Sequence, residues 1–475
     1  QQIKRIKKGL GGFIGMQTDM TVGKPMKMIL DFTIPVFIGN VFQQFYNMAD
    51  AIIVGKFVGT KGLAAVGSTG TIMFLIIGFL MGLTAGFTVL TSQKFGAGKM
   101  DEMRQSVGNA ALLSIIISVI MTAVSMVGMH SLLTLMHTPE DIFQDAYIYI
   151  MIICGGIFAQ VLYNILASIL RALGNSKTPL YFLILAALLN IVLDLVFIIV
   201  FHMGVAGAAW ATITAQGVSG VLCLIYIIKY VPELRLKADD WRFRSEIAKK
   251  EILVGIPMGL QYSITAIGSV ILQSAVNTLG SNAVASMTAG SKIGMFFCCP
   301  FDAMGSTMAT YGGQNVGAKK MDRISKGLKA CSMLGIGYAI LAFVILALTG
   351  RNLALFFVER AEVEVIGNVY LFLLINSAFY IPLAFVNIVR FLIQGMGYSK
   401  FAILAGVCEM HENARRICIS AAVWFSGSMF CKPGRMGLRG RIFVPGVPAC
   451  VPEDGKDAER EHTIVVLPEQ NVSTI

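Results

Sequence analysis

Seven stretches of this chain contain no Asp, Glu, Lys or Arg: 62–93, 105–139, 146–170, 195–228, 252–291, 330–350 and 365–389. A helix crossing a bilayer needs about 20 consecutive, mostly apolar residues, so each stretch has room for one or two crossings. Lipid offers the backbone no hydrogen-bond partner, which leaves helices as the form such runs can take. Charged residues make up only 14% of the chain and hydrophobic ones 56%, where soluble domains average roughly 25% and 45–50%. The expected fold class is an all-α integral membrane protein with many spans.

Turn and charge signals place spans near 29–54, 63–90, 106–129, 143–169, 178–201 and 205–229. After a loop at 230–250 come 252–278, 284–311, 327–349 and 366–389, and an eleventh begins near 400. The net charge of +11 invites a nucleic-acid partner, but the location of the charge argues against one. The N-terminal segment (1–28) and alternate loops carry 6, 3, 2, 7, 5 and 2 Lys or Arg, against four in the opposite loops. Basic residues accumulate on the cytoplasmic side, so the N-terminus is expected there. The basic residues at the start precede no short apolar core and cleavage site, so they do not read as a signal peptide. The expected partners are the lipid bilayer and a small-molecule substrate, with no nucleic acid.

The chain also contains itself twice. QKFGAGKMD (93–101) returns as QNVGAKKMD (314–322), with six identities in nine at an offset of 221. Ile34-Pro35 returns as Ile256-Pro257 at 222, and Gly174-Asn175-Ser176-Lys177 as Gly397-Tyr398-Ser399-Lys400 at 223. That period holds six spans. Six is even, so the halves enter the membrane from the same side and form parallel repeats. The plan is twelve spans in two six-helix lobes, 29–229 and 251–410, the second of them incomplete. Transporters built this way bind substrate between their halves near the membrane midplane.

QQFYNMADAIIVGKFVG (43–59), the two Q-x-x-G-A-x-K-M-D loops and SILRALGNSKTP (168–179) together resemble the multidrug and toxic compound extrusion family over roughly residues 25–408. The resemblance implies cation-coupled export by alternating access, with two lobes around a central cavity in a bacterial-type plasma membrane. It implies a coupling ion, H+ or Na+, and no other cofactor. The branch of the norfloxacin exporters carries acids in its seventh and tenth helices. Here those spans hold Gln261, Gln273, Asn277, Asn376 and Asn387 instead. The pattern is closer to the DNA-damage-inducible F branch, whose polar groups lie in the first lobe: Asp50, Asn190, Asp194 and Thr212, with Gln43 seven residues before Asp50.

An ionisable group inside the bilayer marks a pathway or coupling site by default. At 1.5 Å per residue, Asp194 lies roughly 24 Å from the cytoplasmic end of its span and Thr212 about 12 Å from the outer end of the next. Asp50 lies in the outer third of the first span, so these groups are expected to meet at one level as a cation-coupling site. Asn190, one turn from Asp194, reads equally as a ligand contact and as a helix–helix hydrogen bond. Gln43, Gln261 and Asp302 are candidates for the substrate cavity. Asp31 is expected to pair with Lys27 near the surface. Arg171 and Arg390 are placed to snorkel toward the headgroups. Gly78, Gly82 and Gly86 are expected to mark close helix packing.

Other chemistries find little support. Gly217-Val218-Ser219-Gly220 has the look of a serine nucleophile motif, but the only later histidines, His411 and His462, lie in a charged tail. The nine cysteines follow no zinc spacing. The protein is expected to be a monomeric exporter of small organic compounds, cationic or amphipathic, and not an enzyme. A flippase for lipid-linked saccharides is the alternative, though its cavity should be strongly basic. Beyond about residue 411 no run of 18 apolar residues follows, and five of the 13 prolines fall in the last 65 residues. That tail is expected to be foreign to the fold or out of frame, which would leave the second lobe without its closing helices.

Overall fold

The computed structural model describes residues 18–136, 138–277, 281–358 and 360–399. The tail from 411 onward and the spans that would complete the second lobe lie outside the described residues. Among the described residues twelve α-helices follow in order: α1 Pro25–Phe57, α2 Thr60–Gly96, α3 Met100–Leu135, α4 Glu140–Gly155, α5 Ile157–Ala172 and α6 Lys177–Leu195. After them come α7 Gly204–Tyr230, α8 Ser245–Asn277, α9 Ser281–Gly317, α10 Met321–Ala354, α11 Val363–Ala378 and α12 Tyr380–Gly395. Among the described residues seven helices are long and apolar enough to cross a membrane, and counting each of the bent pairs α4/α5 and α11/α12 as one span brings the number to nine. α9 falls short in hydropathy but is 37 residues long, like α2, its counterpart in the repeat.

The fourth span of each lobe departs from expectation. Continuous helices were expected over 143–169 and 366–389, yet α4/α5 bend by 47° at Gly156 and α11/α12 by 49° at Phe379. The two breaks lie 223 residues apart, but their causes differ. Gly156 presses against α7, where a Cβ would meet Ile213 Cγ1 at 2.3 Å. In the other lobe Pro382 sits three residues past the break, within the first turn of α12, where the amide it lacks has no intrahelical partner. Continued through Phe379, the helix would drive the proline ring into the preceding turn.

Helix ends repeat as well. α2 closes with the Lys99 N–H donating to the Lys94 carbonyl at 3.1 Å, and α9 with Lys320 donating to Asn315 at 2.9 Å. Both closures need a left-handed residue, supplied by Gly98 (φ 71°) in one half and Lys319 (φ 57°) in the other. Gly174 (φ 84°) and Gly397 (φ 94°) do the same after α5 and α12.

The lobes exchange their first helices. The early part of α1 (Ile29, Phe32, Val36) is packed in the second lobe's core with Phe301, Met304 and Tyr311. Its later part (Ile53, Val54) joins Tyr149, Ile153 and Ala208 of the first. Reciprocally, α8 crosses to α2: a Cβ on Gly86 would meet Gly255 Cα at 2.4 Å, and one on Gly82 the Met258 carbonyl oxygen at 2.5 Å. The glycine series on α2 is thus a packing surface, and its partner is the other lobe. The mate of the Gly86/Gly255 contact is Thr307 with Thr33, whose hydroxyls are hydrogen-bonded at 2.9 Å.

At one end, called here the basic face, the paired loops touch. A Cβ on Gly96 would lie 2.0 Å from the Gln314 carbonyl oxygen, and one on Gly317 would lie 1.9 Å from that of Gln93. Shifting each residue of the first contact by 221 yields the second, so the two contacts form a self-complementary pair about a pseudo-twofold axis. The two loops lie on one face, as parallel repeats require. The segment before α1 straps this closure: Met20 N–H donates to Gln314 Oε1 at 2.9 Å, and Thr18 N–H to the Gly174 carbonyl at 3.3 Å.

Candidate functional site

Asp50 on α1 and Asp194 on α6 are 9% and 0% exposed, and their carboxyl groups come within hydrogen-bonding reach of each other. α1 approaches α6 closely at Gly39, where a Cβ would touch Leu183 Cδ2 at 3.4 Å. Asn190, one turn before Asp194, joins α6 to α7. With its amide nitrogen toward Asp194 it donates to Oδ2 at 3.1 Å, and its oxygen accepts from the Thr212 N–H at 3.2 Å. The Tyr46 hydroxyl reaches Thr212 Oγ1 at 3.5 Å. One oxygen of each carboxyl, Oδ1 in both cases, has no hydrogen-bond partner. Beside them a cavity of about 10 Å³ is lined by Gln43, Tyr46, Asn190 and Thr212, room for about one water.

The four residues expected to form one site are therefore together, and Gln43 lies at its edge. Two carboxyl groups this close in a dry setting cannot both remain ionised cheaply. Such a pair can share one proton or hold one small cation between its free oxygens. Three contributors were not read from the sequence. Tyr149 is buried and Tyr46 half-buried, both close to the two carboxyls, and a tyrosine in an apolar run resembles ordinary core. A π-helical turn, Val196–Val200, starts two residues after Asp194. Such turns recur at functional sites, but nothing in an apolar run announces one.

The residues assigned to a substrate cavity are dispersed. Gln261, 3% exposed, turns its amide oxygen to Arg390 Nε and Nη1 at 3.1 Å each. Arg390, expected to snorkel, also donates to Asn387 Oδ1 at 2.5 Å and so points into the protein. The side-chain amide oxygens of Gln261 and Asn387 accept from its guanidinium within the protein. Asp302 is exposed on α9 beside Cys298 and Cys299. Asp31 and Lys27 are both exposed, and among the described residues no ion pair joins them. Ser219 donates to the Phe182 carbonyl at 2.8 Å, a contact between α7 and α6.

The large cavity lies elsewhere. A cleft of about 730 Å³ opens between α1 and α9 toward the face opposite the basic one, with Asn47, Met48 and Ile52 on one wall and Thr288, Lys292 and Phe296 on the other. A further polar cluster links the lobes near the basic face. Glu251, 1% exposed, accepts from the Ser106 hydroxyl at 2.8 Å, and Ser106 bonds Thr91 Oγ1 at 3.0 Å. Glu251 Oε2 has no partner.

The MatE family profile matches residues 35–196 and 257–413. The "Probable multidrug resistance protein YpnP" of Bacillus subtilis is 31% identical over 373 residues, covering 78% of this chain and 82% of that protein. The DNA damage-inducible protein F of Escherichia coli is 23% identical over 362 residues, 73% of this chain and 75% of that protein. Among solved structures, an outward-facing multidrug resistance MATE family transporter superposes with a TM-score of 0.77 at 25% identity, covering 82% of this chain and 86% of that one. With duplicated lobes, an interlobe cleft and buried intramembrane acids already in place, these matches make the chain a member of the MatE family of multi-pass membrane transporters, the multidrug and toxic compound extrusion proteins.

Proposed function

We propose that the protein exports small organic amphipathic compounds in exchange for an inward-moving proton or sodium ion. The basic face is cytoplasmic by the charge bias of its loops, which makes the state described here closed to the cytoplasm and open outward. The observation that carries the coupling assignment is the buried pair Asp50 and Asp194, each with a free Oδ1. A cation taken up there removes the repulsion between the carboxyls and draws α1 toward α6. Because α1 is packed in the cores of both lobes and contains Pro35, reseating its outer half at that proline alters how the lobes meet. A ligand shifts such an equilibrium only by its differential affinity for the two states, and the carboxyl pair supplies one. Both lobes and the cleft belong to one chain, so the unit of transport is the monomer. A saccharide-lipid flippase has less support, since the described cleft lining holds one cation and several relatives carry multidrug names.

The test is export in proteoliposomes under imposed proton or sodium gradients, with the wild-type chain and Asp50→Asn and Asp194→Asn. Each variant should insert and fold yet lose gradient-driven transport. Normal export by Asp50→Asn under either gradient would overturn the coupling assignment.

A further inference from the structure

Among the described residues, the cleft between α1 and α9 has two charged side chains in its lining, Lys292 and Glu362. They lie at different depths. Lys292 is the twelfth residue of α9, so it sits roughly 16 Å along the helix from the outer end, near the middle of a 30 Å hydrocarbon layer. Glu362 directly precedes α11, at the outer mouth. Among the described residues Lys292 forms no ion pair. The acids of the first lobe do not face it, because Asp50 and Asp194 are buried against each other and line no part of the cleft. Asp302 is ten residues further along α9, about 15 Å away.

An unpaired cation at this depth is tolerable while the cleft is open and wet. When the lobes close over the outer side, the ammonium is carried into contact with α1, where the lining offers Gln44 and Asn47 but no carboxylate. A buried cation needs a counter-charge, and cargo held between the lobes is in place to bring one. The remaining walls are apolar: Met48, Ile52, Met295 and Phe357 line the cleft, and Phe296 there packs on Phe45 with ring centroids 5.3 Å apart. A few polar groups in a mostly apolar pocket fix a ligand's orientation; with Glu362 at the mouth, the charge that the described lining presents at mid-depth is the Lys292 ammonium, which selects for negative charge there.

We propose that the cargo is an amphipathic anion, a carboxylate, sulfonate or phosphate monoester on an apolar or aromatic body, and that Lys292 is its charge-recognising contact. This rests on the export reading above and names its substrate class. Export of a monovalent anion against entry of one cation moves two positive charges inward per cycle, so transport is electrogenic. Exchange of a monovalent organic cation for one proton or sodium ion moves none.

The experiment uses two probes of equal size, a naphthalene sulfonate and a trimethylammonium naphthalene. Equilibrium binding to purified full-length protein and gradient-driven movement in proteoliposomes are measured for wild type, Lys292→Arg, Lys292→Gln and Lys292→Glu. Wild type and Lys292→Arg should bind the sulfonate at least tenfold more tightly than the ammonium probe and carry inward positive current. Lys292→Gln should lose that preference, and Lys292→Glu should reverse it, which a misfolded variant cannot do. A wild-type preference for the ammonium probe, binding of neither probe, or sulfonate affinity unchanged in Lys292→Gln would each overturn the proposal. Lys292-dependent sulfonate binding with no response to any gradient would instead sink the export reading and leave the anion site standing.

Discussion

Alanine at Gly96 should push the transporter out of the state in which its basic face is closed. The new Cβ would stand 2.0 Å from the Gln314 carbonyl oxygen, where ordinary contact begins at 3.4 Å. The obstacle is backbone on the far lobe, so no side-chain rotation relieves it, and the two helices must part by more than an ångström. Overpacking of this kind costs about 1–3 kcal/mol. The penalty exists only while the loops touch, so the equilibrium between lobe arrangements should move by roughly 5- to 150-fold toward the open basic face. Gly317→Ala makes the mate of the same clash, 1.9 Å from the Gln93 carbonyl oxygen, and should shift it equally. Gly67→Ala and Gly70→Ala on the same helix meet nothing within 4 Å and serve as controls. Spin labels on cysteines replacing Asp101 and Asp322, equivalent exposed positions beside the two loops, report the separation by pulsed electron resonance. A longer-distance population should grow for both loop variants and for neither control. An unchanged distribution in Gly96→Ala would refute the idea that this contact is the closure, and a response in only one of the two would refute its symmetry.

Lys319 adopts the left-handed conformation that Gly98 adopts in the other half, so Lys319→Gly should raise stability by about 0.5–1 kcal/mol, read as a higher midpoint in thermal unfolding; a lower midpoint would mean the lysine's charge matters more than its backbone. Glu251→Gln removes an ionisable group with an unpartnered oxygen from the lobe contact, so it should leave unfolding unchanged or raise its midpoint, and a loss above about 1 kcal/mol would show that the carboxylate has a partner worth keeping. Asn190→Leu deprives Asp194 Oδ2 of its donor and should cost about 1–3 kcal/mol together with gradient-driven transport; full export would remove Asn190 from the coupling site. Asp31→Asn alters an exposed residue that has no ion pair among the described residues, and its transport should stay within about twofold of wild type, a change of less than about 0.5 kcal/mol.

Much of the architecture was legible because lipid simplifies the code. Where water is absent, backbone groups must pair within a helix, and the uncharged runs then read directly as spans. The loop repeats 93–101 and 314–322 disclosed the parallel lobes because duplication leaves its clearest trace at helix ends, where glycine and lysine have positional meaning. Asp50, Asn190, Asp194 and Thr212 stood out because polar groups are costly at their depth. Helix pitch alone placed them at one level. The tertiary structure decided what pitch cannot express. Which helices face each other depends on crossings between segments far apart in sequence, such as Gly86 with Gly255 and Thr33 with Thr307, so the exchange of α1 and α8 between lobes was invisible in hydropathy. Gln261 was read as a cavity residue, yet packing turned it inward to Arg390. The sequence offered no role for Lys292, which became informative once the fold set it in the cleft wall with no ion pair among the described residues. Residue type and depth determine how expensive a charge is in a membrane, and both are written in the sequence; whether that charge finds a partner depends on neighbours that only the folded chain brings within reach.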